Sequence, residues 1–270
     1  SGNNLGDGKN SQQVEKEEKD LDLQSTAKSF TPIDKTAFEK LLDKLKKAFP
    51  NVKVELFGNK DFDKAKVELE KSGVQITDIK TKDGTIYGFK TPDGKVFINT
   101  DNLNANTPIH EYAHIWQSVF PQEFARGIEL LKLSPQGQAL IREIQKNPAY
   151  KGKSLAEIQA EALVTAIGNK GESIFNSNPT LWNKFKEWLS DFFKKLGDKL
   201  GIKDLSADDK LNIFTKKVTG ELLGGKELSK NIGESSDIDL QMDKAIKQSK
   251  DIQLKYNKKR KKLAPNEKTR

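Results

Sequence analysis

Thr107-Pro108-Ile109-His110-Glu111-Tyr112-Ala113-His114-Ile115-Trp116 holds both histidines of the 270-residue chain, four positions apart, with a glutamate directly after the first. On a helix, positions i and i+4 share a face, so both imidazoles can reach one ion. The glutamate lies one residue round, close enough to touch a water held by that ion. The segment predicts its own helix. Thr107 suits an N-cap and Pro108 the first helical position. Ile109, Ala113, Trp116 and Phe120 recur at helical spacing, and Pro121 closes the run. The pattern points to zinc hydrolysis chemistry, because imidazole is a preferred zinc ligand and zinc brings a bound water near neutral ionisation.

A catalytic zinc needs three protein ligands and an open position. The chain has no third histidine and no cysteine, so the third ligand must be a carboxylate. Gln117 and Phe120 stand where the longer motif requires a glycine and a third histidine. Downstream, SLAEIQAEALVTAIG (residues 154–168) reads as a helix, with Ser154 and Glu157 in a capping-box pattern. Glu157 and Glu161 lie one turn apart on one face of it. One can bind the metal while the other accepts a hydrogen bond from the far nitrogen of a histidine.

HEYAH followed by the AEIQAEA helix resembles the gluzincin metallopeptidases, whose thermolysin-like members pair an HExxH helix with a glutamate from a later helix. The run TPIHEYAHIW is also similar to zincin-type domains in polyproteins of bacteriophages and mobile elements. The resemblance spans about residues 30–200 and is specific in the metal motif. It implies a peptidase acting on a protein or peptide substrate, with Zn2+ on His110, His114 and Glu157. Glu111 is then the general base, and Glu161 supports a histidine; the reverse assignment, Glu161 as ligand, stays open. The family often steadies the oxyanion with a further histidine, absent here. Tyr150, Tyr87 or Arg126 could take its place, and nothing in the sequence selects among them, with Tyr150 the named candidate.

The expected fold class is α+β and zincin-like: a small, mostly antiparallel sheet, then a helical part carrying the HExxH helix and the glutamate helix. Residues 1–30 are polar and read as a linker. Residues 31–225 form the domain, divided into an α/β part (31–106) and a helical part (107–225), and 226–270 read as a polar, basic tail. TPIDKTAFEKLLDKLKKAFP predicts a helix, NVKVELFG a strand and DFDKAKVELEKSG a second helix. Three short strands follow at 74–80, 85–90 and 95–100, joined by turns at Asp83-Gly84 and Asp93-Gly94. The last of them reads as an edge strand beside the metal, open to an extended peptide. Helices are expected at 107–119, 121–133, 135–147, 154–168, about 179–200, 206–223 and about 237–262.

Hydrophobic residues make up 34% and charged residues 32%, so a core exists but much of the chain is solvated. No apolar stretch reaches the length of a membrane span and no signal peptide is visible. The lack of cysteine fits a reducing compartment, which favours a cytoplasmic location, with secretion or injection left open. The chain starts at Ser1 and its one methionine is Met242, so it reads as trimmed or cut from something longer. Net charge is +8, partly from Lys258-Lys259-Arg260-Lys261-Lys262. That run reads as a solvated tail rather than a nucleic-acid surface, since only Tyr256 could stack on bases. Two alternatives to a peptidase therefore stand: a zincin-shaped interaction or cargo module, and nucleic-acid binding through the tail.

Overall fold

A computed structural model describes residues 30–74, 76–80, 86–177, 205–228 and 237–263. The first helix, α1 (Lys35–Ala48), is capped by Asp34, whose side chain accepts from the Ala37 N–H at 2.8 Å. Its buried stripe is Phe38, Leu41, Leu42 and Leu45, and Pro50 follows its end. Strand β1 (Val54–Phe57) leads to α2 (Asn59–Lys71), after which Gly73 turns the chain with φ 78°. Then come β2 (Thr77–Lys80), β3 (Ile86–Lys90) and β4 (Val96–Asn99). A hairpin joins the last two: the Thr91 N–H donates to the Lys95 carbonyl, and Gly94 takes φ 84°.

The four strands lie in the order β1-β4-β3-β2. Strands β2, β3 and β4 pair antiparallel, but β1 pairs parallel to β4, so the sheet is mixed. This corrects the sequence expectation that the last strand, the one leading into the HExxH helix, is an edge. Strand β4 has neighbours on both sides and offers no free edge; the edges are β1 and β2. One sheet face carries Phe89 and Phe97, which pack with Phe62 of α2. The other turns Val96 and Ile98 into the main core with Ile109 and Tyr112. Strand alternation thus separates a small aromatic layer from the large helical core.

The helical part begins with α3 (Asn106–Val119), then α4 (Pro121–Leu133), α5 (Pro135–Lys146) and α6 (Leu155–Ser177). Helix α7 (Ala207–Leu223) and the long α8 (Asp237–Leu263) follow. Helix α3 does not start as read from sequence. Thr107 is inside it, and Asn104 supplies the side-chain acceptor for the Thr107 N–H at 2.7 Å. Helix α6 runs on past Gly168 to Ser177. Helix α8 is tied to α4 through Arg126–Asp243 and Lys250–Glu129, and it buries Ile246. Residues 251–260 are exposed. The helix expected at 179–200 and the turn at Asp83-Gly84 lie outside the described residues. Among those residues, no helix is long and apolar enough to cross a membrane.

Candidate metal centre

Helix α3 is buried on nearly every side, unlike an ordinary surface helix. Ile109, Tyr112, Ala113 and Trp116 are all fully enclosed. One flank packs along α6, where two glycines let the helices approach. A Cβ at Gly168 would sit 2.8 Å from Asn106 Oδ1 and 3.2 Å from His110 Cβ. A Cβ at Gly171 would fall 2.7 Å from Ile109 Cδ1. Polar bonds fix the register: Asn106 Nδ2 donates to Asn169 Oδ1 at 2.9 Å and to Glu172 Oε2 at 3.0 Å. The Thr31 N–H closes this clasp on Glu172 Oε1 at 2.8 Å.

Two helical turns before Gly168, the same α6 face presents Glu161. Its Oε1 lies 3.0 Å from His110 Nε2 and its Oε2 3.3 Å from His114 Nε2. The imidazoles meet edge to face with centroids 5.1 Å apart. One donor atom from each of His110, His114 and Glu161 falls within 4.8 Å of the other two, so the group could hold a metal ion. The donor set fits the ion that the sequence implies: two imidazole nitrogens and a carboxylate oxygen, facing one point in a largely dry setting.

Glu157 is elsewhere. It is exposed, and its Oε2 accepts from both the N–H and the hydroxyl of Ser154 at 2.8 Å. Ser154 Oγ in turn accepts from the Glu157 N–H at 3.2 Å. This is a complete capping box, with Lys153 also near the carboxylate. The Glu157 carboxylate is therefore occupied in starting α6, one turn short of the histidines. The residue brought to the histidines is Glu161, the alternative that the sequence left open, and not Glu157.

Tyr150 is brought to the site, but in another capacity than oxyanion donor. Its hydroxyl donates to Glu161 Oε1 at 2.9 Å from the short 3-10 turn before α6. Tyr87 packs its ring against Phe30, and Arg126 pairs with Asp243. Glu111 is almost fully enclosed, at 1% exposure. Burial pushes its carboxyl up, opposed by the nearby imidazoles and by Lys90. For Glu161, burial pushes the same way, but the charges and hydrogen bonds of His110 and His114 outweigh it and hold the carboxyl well below the usual range. His114 is raised: burial works against its charge, and the bond and charge of Glu161 prevail.

Sequence reading missed two residues around α3. Asn104, just ahead of the helix, accepts from the Thr107 N–H with its side chain, where the sequence had Thr107 itself as the cap. Lys90 comes from β3, and its charge is felt by both Glu111 and His114. Alternation along β3 could have flagged it once α3 was known to cover that face. Compared with family models, curated proteins and solved structures, the chain matches none.

Proposed function

We propose that the chain is a zinc metallopeptidase of zincin-like architecture, with His110, His114 and Glu161 as ligands and Glu111 as general base. The observation that carries this reading is the meeting of the HExxH imidazoles with a carboxylate from a separate helix, together with a second buried glutamate at the motif's own base position. Zinc in such a site supplies a water of near-neutral pKa and polarises the scissile carbonyl. Glu111 takes the proton from that water as its oxygen adds to the carbonyl carbon, and delivers it to the departing amine. Burial raises the Glu111 carboxyl in the metal-free chain, which favours its holding the proton between the two halves of this exchange. Substrate approaches from the His114 side, where the imidazole is 17% exposed against 4% for His110.

The test is Glu111→Gln in the full chain. Zinc measured by elemental analysis stays at the wild-type ratio, and cleavage of an unfolded protein substrate falls by about 10²–10⁴-fold. Undiminished cleavage by Glu111→Gln rejects the mechanism.

A second reading keeps the metal for folding only, as in a cargo or interaction module. The enclosure of Glu111 and His110 favours it, since little of the group meets solvent. Chelation separates the two. A structural ion takes the fold with it, whereas a catalytic ion leaves a folded, inactive chain.

A further inference from the structure

We propose that Lys90 holds the oxyanion: its ammonium donates a hydrogen bond to the carbonyl oxygen that becomes negative when water adds. The inference rests on the peptidase reading and names a residue that HExxH and its glutamate do not supply.

Amide hydrolysis by water needs such a donor. The water oxygen bonds to the carbonyl carbon, the carbonyl π pair moves onto oxygen, and the water's proton passes to Glu111. The pair then returns, the C–N bond breaks and the amine nitrogen takes the proton from Glu111. A donor fixed where the charge develops lowers this barrier. The candidates offered by sequence are committed elsewhere: Tyr150 to Glu161, Tyr87 against Phe30, and Arg126 to Asp243.

The placement of Lys90 follows from strand and helix geometry. Gly88 of β3 faces α3 so closely that a Cβ there would lie 2.6 Å from Thr107 Cγ2. Lys90 is two residues further on, so it shares that face, about 6.6 Å along the strand. At about 1.5 Å per residue, the same distance along α3 runs from Thr107 to Glu111. The two elements advance in the same direction, because a Cβ on Gly94, in the hairpin after β3, would lie 3.7 Å from Ile115 Cδ1. Lys90 is thus level with Glu111 and one turn from His114, and its charge acts on both. It is half-buried, and its Nζ makes one long contact, 3.4 Å to the Thr91 carbonyl. Among the described residues, no carboxylate lies within ion-pair distance of it. A cation half-withdrawn from water, level with the general base and held by a single weak acceptor, is free to turn to a new anion.

The experiment uses the full chain loaded with zinc, with Lys90→Met and Lys90→Arg beside Glu111→Gln. Zinc content, kcat and KM on a fluorogenic peptide, and calorimetric affinity for a peptide phosphonate are measured. Lys90→Met is expected to keep its zinc and its KM and to lose about 10²–10³-fold in kcat. Phosphonate affinity drops with kcat, because the phosphonate carries the transition-state charge and the substrate does not. Lys90→Arg recovers part of both. Should Lys90→Met lose its zinc or fold, Lys90→Gln carries the same comparison. Wild-type kcat in Lys90→Met, or a fallen kcat with unchanged phosphonate affinity, overturns the role of Lys90 while the silent Glu111→Gln leaves the peptidase reading standing. A wild-type chain that hydrolyses no peptide, and is indistinguishable from Glu111→Gln, overturns both.

Discussion

The hydroxyl of Tyr150 donates to Glu161 Oε1, the oxygen that also lies 3.0 Å from His110 Nε2. A carboxylate held from behind in this way presents its oxygens to the histidines in one orientation. Tyr150→Phe removes the hold without opening a cavity. Partners of metal ligands typically contribute about 10–100-fold in affinity. Zinc affinity, measured by competition with a chelating dye, should fall by that factor, while the far-ultraviolet circular dichroism spectrum stays unchanged. An unchanged zinc affinity would show that Glu161 is positioned by α6 alone.

The two glutamates of α6 separate cleanly by substitution. Glu161→Gln replaces the buried carboxylate and should abolish stoichiometric zinc. Glu157→Gln leaves an amide that can still accept from Ser154 in the capping box, so zinc should be retained and the urea unfolding midpoint should move little. The opposite pattern would return the ligand role to Glu157.

Helix spacing is open to a direct test. Gly168→Ala puts a methyl group 2.8 Å from Asn106 Oδ1 and 3.2 Å from His110 Cβ. Neither atom belongs to a freely moving side chain, since Asn106 is bonded to both Asn169 and Glu172. Overpacking of this kind costs about 1–3 kcal/mol. Thermal unfolding should show that loss together with weaker zinc binding, because His110 is displaced relative to Glu161. Tighter zinc binding in Gly168→Ala would contradict the arrangement.

The buried site also sets a pH dependence for the metal-free chain. Glu161 is depressed, so its contribution is present above the ordinary glutamate value of 4.5 and is lost as pH falls through its lowered value. His114 is raised, so its contribution is present below the ordinary 6.5 and is lost as pH rises through the raised value. Glu111 is raised as well, and its contribution fades above 4.5. Chelator-treated protein should therefore unfold at its highest temperature in mild acid. Zinc should lessen the alkaline decline by the share that His114 contributes, because it competes with protons for imidazole and binds better as pH rises. A decline left unchanged by zinc would mean that the imidazoles do not ligate it.

The elements governed by local chemistry were legible in sequence. The stripe Phe38, Leu41, Leu42 and Leu45 is the buried face of α1, and HEYAH lies within α3. The choice between Glu157 and Glu161 was not, because both occupy one helical face. What separates them is depth along the axis and the prior claim of Ser154 on Glu157. The parallel pairing of β1 with β4 was hidden too, since a four-residue strand carries no mark of its partner and α2, β2 and β3 intervene. Lys90 and Tyr150 reach the site from positions 20 or more residues from His110, a distance across which periodicity says nothing. The zincin-like architecture expected from the motif goes beyond the observed mixed sheet and helical part, and stands as part of the proposal.

Trp116, two residues after His114, donates its indole N–H to Glu221 Oε2 at 2.8 Å, and its ring meets Phe214 edge to face. The blind side of the histidine-bearing helix is therefore buttressed by a segment made about 100 residues later. During synthesis, α3 leaves the ribosome long before its back support exists. Any ion taken by the group would be held tightly only once the α7 segment has been made and packed, rather than guiding the early collapse of α3.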